Sequence, residues 1–354
     1  MSTNQPTAQP TALAPRRWSR RAAISLGATG LGAAGLLALG CAPTGGTKLE
    51  RVRLALDWTP NTNHTGFFVA DRQGWYRDAG IELEVLPYSG TAAETLLGAG
   101  QADFGISFQD SLVFARASGL PIVSTAAILQ HVATAIAVKA GRTDIRTPKD
   151  LDGKTYAGFG LPHEVPTLQR VIRSAGGGGK FEVVTLKTAA YEALYSGAAD
   201  FTVPFVAWEA IEADLHKQAL RLFKYTDYGF PDFYQVVLAG NEPWLAQHRD
   251  LAQRFVQATV RGFAYAARQP HEAAQHLIAA NPGAFTEPEL VERSATLLAK
   301  QYYLDGHGAF GTQTLDQWTG YSKFLYGTGA LVDGQGKALT KEPDWSTHFT
   351  TDLL

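Results

Sequence analysis

A short segment of polar and aromatic residues follows the first apolar stretch of the chain, and its residue types could bind a small flat molecule. The stretch LALDWTPNTNH places Asp57, Trp58, Asn63 and His64 close together. An indole can stack on the face of a ring, whereas a carboxylate, an amide and an imidazole can hydrogen-bond to its edge. We therefore expect this segment to form part of a small-molecule binding cleft.

Strand-like and helix-like segments alternate along the chain, which predicts an α/β fold built from mostly parallel sheets flanked by helices. Two similar units, TAAETLLGAGQADFGIS and TAAYEALYSGAADFTVP, fall one in each half. Their similarity predicts two α/β lobes with a ligand cleft between them. We expect lobe 1 to contain residues 50–139 and 241–354 and lobe 2 to contain residues 140–240.

Two local signals predict details of these lobes. Thr91 followed three residues later by Glu94 predicts a capping box at the start of a helix. The sequence GFG at residues 158–160 follows a predicted strand and resembles a phosphate-binding turn, but it lacks the full glycine-rich fingerprint.

Residues that follow the predicted strands are the candidates for the cleft, because ligands of open α/β sheets bind beyond the carboxyl ends of the strands. Beyond the first segment, the candidates are Tyr88, Gln109, Phe159, Glu164, Phe205, Trp208 and Glu209. Aromatic, amide and carboxylate groups predominate, and arginine and lysine do not cluster, which argues against phosphate or sulfonate ligands. The set suits a neutral or weakly basic heterocycle, and we expect no cofactor and no metal.

Several candidates also have a structural interpretation. Trp58 could cover the core, His64 could cap a helix, and Asn63 could form a turn. Glu164 could be a first-turn acid that interacts with a helix dipole, and Trp208 could belong to the core. The residue types alone leave both interpretations open.

The first 41 residues differ in character from the rest. Four arginines, with the sequence SRRAA, precede a Gly/Ala-rich apolar run that ends at Cys41, the single cysteine. This pattern predicts a twin-arginine-type export signal with lipidation of Cys41, followed by a tether at residues 42–49. We therefore expect an exported, lipid-anchored protein at the outer face of the cell membrane or in the periplasm. The net charge of −2 gives no indication of nucleic-acid binding.

The segments LDWTPNTNHTGFFVADRQGWYRDAGIELEV, GISFQDSLVFARASGLPIVSTAAILQH and DLDGKTYAGFG resemble substrate-binding proteins of ABC importers. The most similar branch binds the thiamine precursors formylaminopyrimidine or hydroxymethylpyrimidine, and it has riboflavin-binding relatives. The resemblance implies a type II periplasmic-binding-protein fold that closes on its ligand by hinge motion. It also implies a monomer that delivers its ligand to a membrane permease and its ATPase.

The same branch is similar to a fungal enzyme that makes the thiamine pyrimidine, in which a histidine at the position of His64 takes part in chemistry. The cysteine-rich stretch of that enzyme is absent from this chain, which has no cysteine after Cys41. We therefore expect binding without catalysis. A nitrate or sulfonate receptor is a further alternative, but it should show more cationic groups in the cleft.

Overall fold

The computed structural model describes residues 48–354. The predicted export signal, the lipidated Cys41 and most of the predicted tether lie outside the described residues. Within residues 48–354, no helix combines the length and apolar character needed to cross a membrane.

The described part of the chain alternates strands and helices before a helical C-terminal region. The strands are β1 (Glu50–Ala55), β2 (Ile81–Leu86), β3 (Phe104–Ser107), β4 (Ile122–Ala127), β5 (Ala135–Lys139), β6 (Thr155–Gly158), β7 (Glu182–Thr185), β8 (Leu220–Lys224) and β9 (Val237–Asn241). The helices are α1 (Thr65–Arg72), α2 (Trp75–Asp78), α3 (Ala93–Gly98), α4 (Gln109–Ala117), α5 (Glu164–Ser174), α6 (Ala189–Ser196), α7 (Glu209–Leu215), α8 (Glu242–Gln247), α9 (Arg249–Arg268), α10 (Pro270–Ala280), α11 (Pro288–Gln301) and α12 (Leu315–Gly327). The order confirms the α/β fold class predicted from the sequence.

The first lobe is built on a five-stranded sheet in the order β2-β1-β3-β9-β4. Strand β1 pairs in parallel with β2 and β3, whereas β9 runs antiparallel between β3 and β4. Every residue of β3, β4 and β9 is buried. Helices cover this sheet on both faces, as the nearly continuous apolar character of its strands requires.

The second lobe repeats this arrangement. Strand β6 pairs in parallel with β7, and β5 pairs antiparallel with β8. A short segment joins the two pairs, because Phe201 bridges to Tyr156 in β6 and Thr202 bridges to Ala137 in β5. In each lobe, a strand that arrives from the other lobe lies antiparallel inside an otherwise parallel sheet. The chain therefore crosses between the sheets before β5 and before β9.

Helices α1 and α9 pack at very short range through two glycines. A methyl group added to Gly262 would lie 2.0 Å from the carbonyl oxygen of Gly66, and one added to Gly66 would lie 2.2 Å from the Phe263 ring. Neither position can hold a larger side chain without moving a helix. Helix α1 directly follows the segment that contains His64, so this packing also fixes the position of that segment.

Candidate ligand-binding cleft

His64 is fully buried, and both of its ring nitrogens are bound by its own chain. Its Nδ1 accepts a hydrogen bond from the N–H of Asn61 at 3.3 Å, so the ring proton is on Nε2. Nε2 donates a hydrogen bond to Asp57 Oδ1 at 2.7 Å. Asn63 lies half-buried in the same turn, and its N–H donates to the Asn61 side chain at 2.9 Å. His64 thus caps the turn and orients Asp57, whose side chain remains 10% exposed.

Trp58 and Tyr88 form an aromatic pair at the ends of two neighbouring strands. Trp58 follows β1 and is 43% exposed, and Tyr88 follows β2. Their ring centroids lie 4.9 Å apart with an interplanar angle of 33°. An exposed indole braced by a second ring offers a flat surface on which a heterocycle can stack.

Glu94 is an acidic residue of the cleft that the sequence analysis did not include among the site residues. Its carboxylate accepts a hydrogen bond from the Ser107 hydroxyl. Burial raises the pKa of Glu94, and the neighbouring charges of Asp57 and Asp110 raise it further. The predicted capping box is wrong, because Ala92 stands at the N-cap and Glu94 turns inward to Ser107.

Gln109 is fully buried and is bound on every side by the first lobe. Its Oε1 accepts the N–H of Tyr234 at 3.0 Å, and its Nε2 donates to the Trp318 carbonyl at 3.1 Å and to the Ser322 hydroxyl at 3.2 Å. The side chain therefore ties α4 to α12 and has no free hydrogen-bonding group to offer a ligand.

Two contacts connect the lobes where their strand ends face each other. Asp110 Oδ2, at the start of α4, lies 3.5 Å from Nε2 of His163, which directly precedes α5. The rings of Phe108 and Phe205 lie 6.2 Å apart across the same gap. The turn after β3 therefore lies on the lobe 1 wall of the cleft. The turn after β6 and the turn after the bridging segment lie opposite it, on the lobe 2 wall.

Glu164 binds the turn between β6 and α5. Its two carboxylate oxygens accept the backbone N–H groups of Phe159 at 3.0 Å, Gly160 at 2.8 Å and Leu161 at 3.1 Å. The Phe159 ring lies 6.1 Å from the ring of Tyr191. Phe159 and Glu164, both predicted site residues, thus belong to this turn, and the Glu164 carboxylate accepts the hydrogen bonds of its backbone N–H groups.

Glu209 and Trp208 occupy the second turn of lobe 2. Glu209 Oε2 accepts the N–H of Phe205 at 2.9 Å. Burial raises the pKa of Glu209 to about 7, and the nearby charge of Glu212 adds to the effect. Trp208 instead packs on Phe285, with ring centroids 6.4 Å apart, in an apolar cluster of the C-terminal helices. The Trp208 ring therefore packs lobe 2 against the α10 and α11 region.

The charged groups gathered at this cleft are acidic. Asp57, Glu94, Asp110, Glu164 and Glu209 make no hydrogen bond to lysine or arginine among residues 48–354. The described residues contain no group of three or more side chains that could hold a metal ion. The cleft is therefore suited to ligands that donate hydrogen bonds or carry positive charge.

Two lobes with matching sheets, joined by two crossings and facing each other across a cleft, form a periplasmic-binding-protein fold. The fold is similar to that of the alkanesulfonate-binding protein SsuA from Xanthomonas axonopodis pv. citri bound to MOPS, with a TM-score of 0.60, 15% identity and coverage of 84% of this chain and 96% of that one. The sequence then identifies the family. Residues 61–273 match the NMT1/THI5-like family model, and the chain belongs to this family.

Relatives in the family have two kinds of name. The chain is 28% identical over 276 residues to a formylaminopyrimidine-binding protein of Halalkalibacterium halodurans, covering 76% of this chain and 83% of the relative. It is also 28% identical over 243 residues to a 4-amino-5-hydroxymethyl-2-methylpyrimidine phosphate synthase of Legionella pneumophila, covering 66% and 74% respectively. Both names refer to an aminopyrimidine, one through the binding of formylaminopyrimidine and the other through the synthesis of a pyrimidine phosphate.

Proposed function

We propose that this protein is the substrate-binding component of an ABC importer and that it binds an aminopyrimidine precursor of thiamine. The observation that carries the proposal is the composition of the cleft, in which the exposed Trp58 pairs with the half-buried Tyr88 beside the partly buried carboxylates of Asp57 and Glu94. No lysine or arginine among residues 48–354 binds those carboxylates. The formylaminopyrimidine-binding relative supports the same ligand class.

The ligand's chemistry matches this composition. An aminopyrimidine has a flat ring for stacking, exocyclic amino donors and a weakly basic ring nitrogen. Trp58 and Tyr88 supply the stacking surface, and base stacking on an aromatic residue contributes about 1–3 kcal/mol. Asp57 and Glu94 supply acceptors for the donors at the edge of the ring. Because these acceptors are partly removed from water, each hydrogen bond to the ligand is stronger than it would be at the surface.

The remaining parts of the proposal concern delivery. Lipidation of Cys41 would hold the protein at the outer face of the membrane, where a monomer could pass its ligand to a permease and its ATPase. The proposed lobes, lobe 1 at residues 50–139 plus 241–354 and lobe 2 at residues 140–240, would close as hinged bodies, with β5 and β9 each carrying the chain into the sheet of the next lobe at the crossings.

Catalysis is the alternative that the synthase relative raises. The surroundings of His64 favour binding instead, because this imidazole is fully buried and both of its nitrogens are occupied by Asn61 and Asp57. A histidine that takes part in chemistry must present a nitrogen or carbon atom to the reacting partner, which His64 does not do. Riboflavin is the alternative ligand within the binding class, and it needs a slot that is three fused rings long.

Titration calorimetry of the purified protein tests the proposal. Formylaminopyrimidine and hydroxymethylpyrimidine should bind, whereas riboflavin and MOPS should bind far more weakly. Tight riboflavin binding with a yellow purified protein would select the flavin alternative. Binding to none of these compounds would refute the ligand class. Conversion of an added pyrimidine, followed by mass spectrometry, would refute the assignment as a binding protein.

A further inference from the structure

The turn between β6 and α5 has the form of an oxyanion-binding site, and the chain fills it with its own carboxylate. Three consecutive N–H groups, from Phe159 to Leu161, converge on the two oxygens of Glu164 at 2.8–3.1 Å. The same turn leads into α5, an 11-residue helix whose N-terminus carries partial positive charge. Sulfate, phosphate and sulfonate groups bind to backbone N–H groups in this arrangement.

Glycines shape the backbone around the carboxylate. A methyl group added to Gly158 would lie 2.8 Å from Glu164 Oε2 and 2.4 Å from the Tyr156 ring. Gly160 has a φ of +87°, and a methyl group there would lie 2.8 Å from the Thr185 side chain. Side chains are therefore excluded at both positions, and the backbone can approach the carboxylate closely.

The turn belongs to the wall of the cleft. His163, which directly precedes Glu164, lies 3.5 Å from Asp110 of lobe 1. Phe159 faces Tyr191 on the adjacent part of lobe 2. A ligand held between the lobes would therefore meet this turn, and what occupies the turn affects which ligands the cleft accepts.

We propose that Glu164 is a specificity-determining residue that excludes oxyanions by occupying the position where a sulfonate, sulfate or phosphate group would otherwise bind. An incoming oxyanion has to compete with a tethered carboxylate for the same three donors and meets its negative charge. A neutral or basic heterocycle does neither. The inference rests on the proposed function only for the identity of the preferred ligand, since the exclusion of oxyanions follows from the turn itself.

The test removes the internal carboxylate and measures sulfate binding. Glu164→Ala leaves the three N–H groups without their acceptor. Glu164→Ser is a second variant, which keeps a short polar side chain at the first position of α5. Glu182→Ala is the matched control, because Glu182 is an exposed acid on β7 in the same lobe and its loss changes the net charge equally. Titrations use sodium sulfate in Tris chloride, since common sulfonate buffers would themselves compete.

Sulfate should bind Glu164→Ala and Glu164→Ser at least about tenfold more tightly than the wild type or Glu182→Ala, since charge-assisted hydrogen bonds are the stronger class. Equal sulfate affinity in all four proteins would overturn the inference. If neither Glu164 variant is folded in chloride, sulfate should restore its native circular dichroism, and a failure to do so would equally overturn it. Because sulfate is the probe, a wild type that binds no pyrimidine refutes the proposed function and leaves this result unaffected.

Discussion

Replacing Glu209 with glutamine should make the protein more stable at neutral and alkaline pH. Burial raises the pKa of Glu209 in the folded protein to about 7, against an ordinary value of 4.5. Between these two pH values the folded protein holds a proton that the unfolded chain has released, so the folded state loses stability as the pH rises. Each pKa unit corresponds to about 1.4 kcal/mol, so the full loss by pH 8 is at most about 3 kcal/mol.

Glutamine keeps an oxygen that can accept the N–H of Phe205 and has no charge to bury, so Glu209→Gln should not show this loss. Urea unfolding at pH 5, 6, 7 and 8 measures this loss of stability. The difference in unfolding free energy between the variant and the wild type should grow in favour of the variant from pH 5 to pH 8. Glu182→Gln, which changes an exposed acid, is the control and should show no such trend.

A pH-independent difference between Glu209→Gln and the wild type would refute the reasoning, because it would mean that Glu209 titrates at the same pH in both states. A difference that shrinks as the pH rises would refute it more directly. That result would require the folded state to favour the carboxylate, as an ion pair would, and none is found for Glu209 among the described residues.

Three further substitutions test other parts of the structure. Trp58→Ala should weaken binding of the proposed pyrimidine ligand more than tenfold, as measured by calorimetry. It should leave the unfolding midpoint nearly unchanged, because the indole is 43% exposed; lost stability with unchanged affinity would make Trp58 a core residue. His64→Ala should lower the unfolding free energy by about 2–4 kcal/mol, since it empties a buried site and leaves Asp57 without its donor; an unchanged midpoint in urea would contradict this. Gly262→Ala should lower the unfolding free energy by about 1–3 kcal/mol or more, because the added methyl group collides with Gly66. Gly327→Ala, in open space at the end of α12, should not lower it in the same unfolding experiment.

The sequence predicts the α/β fold class well because the signals of its strands and helices are local. Apolar runs such as the one before Asp57 mark buried strands, and the helical segments between them mark crossovers. The two TAA-containing units correspond to α3 with β3 and to α6 with the Phe201–Thr202 segment. Strand order is not a local property, however. The antiparallel insertion of β9 between β3 and β4 pairs residues more than a hundred positions apart, and no periodicity in either segment encodes it.

The difference between local and long-range contacts also explains which cleft residues could be predicted from the sequence. Asp57, Trp58 and Tyr88 follow strands and lie together, as a rule about strand ends predicts. Gln109 also follows a strand, yet its amide forms hydrogen bonds with Tyr234 and Trp318, which lie more than 120 residues away in the sequence. An aromatic residue after a strand has the same local pattern whether it faces a ligand or another helix, so Trp208 could not be assigned from its neighbours alone.

The second lobe has the same hydrogen-bond arrangement in two turns, and this arrangement affects which ligand charge the cleft favours. In each turn the N–H of a phenylalanine, Phe159 or Phe205, donates to a glutamate at the first position of the next helix, Glu164 or Glu209. The lobe thereby satisfies these backbone donors with its own carboxyl groups instead of leaving them for a ligand. The first lobe adds Glu94, whose pKa is raised by burial and by neighbouring acids. A bound anion would meet carboxylates on both walls, whereas an amino-bearing ring lowers the cost of keeping them charged, so ligand binding and carboxylate ionisation favour each other.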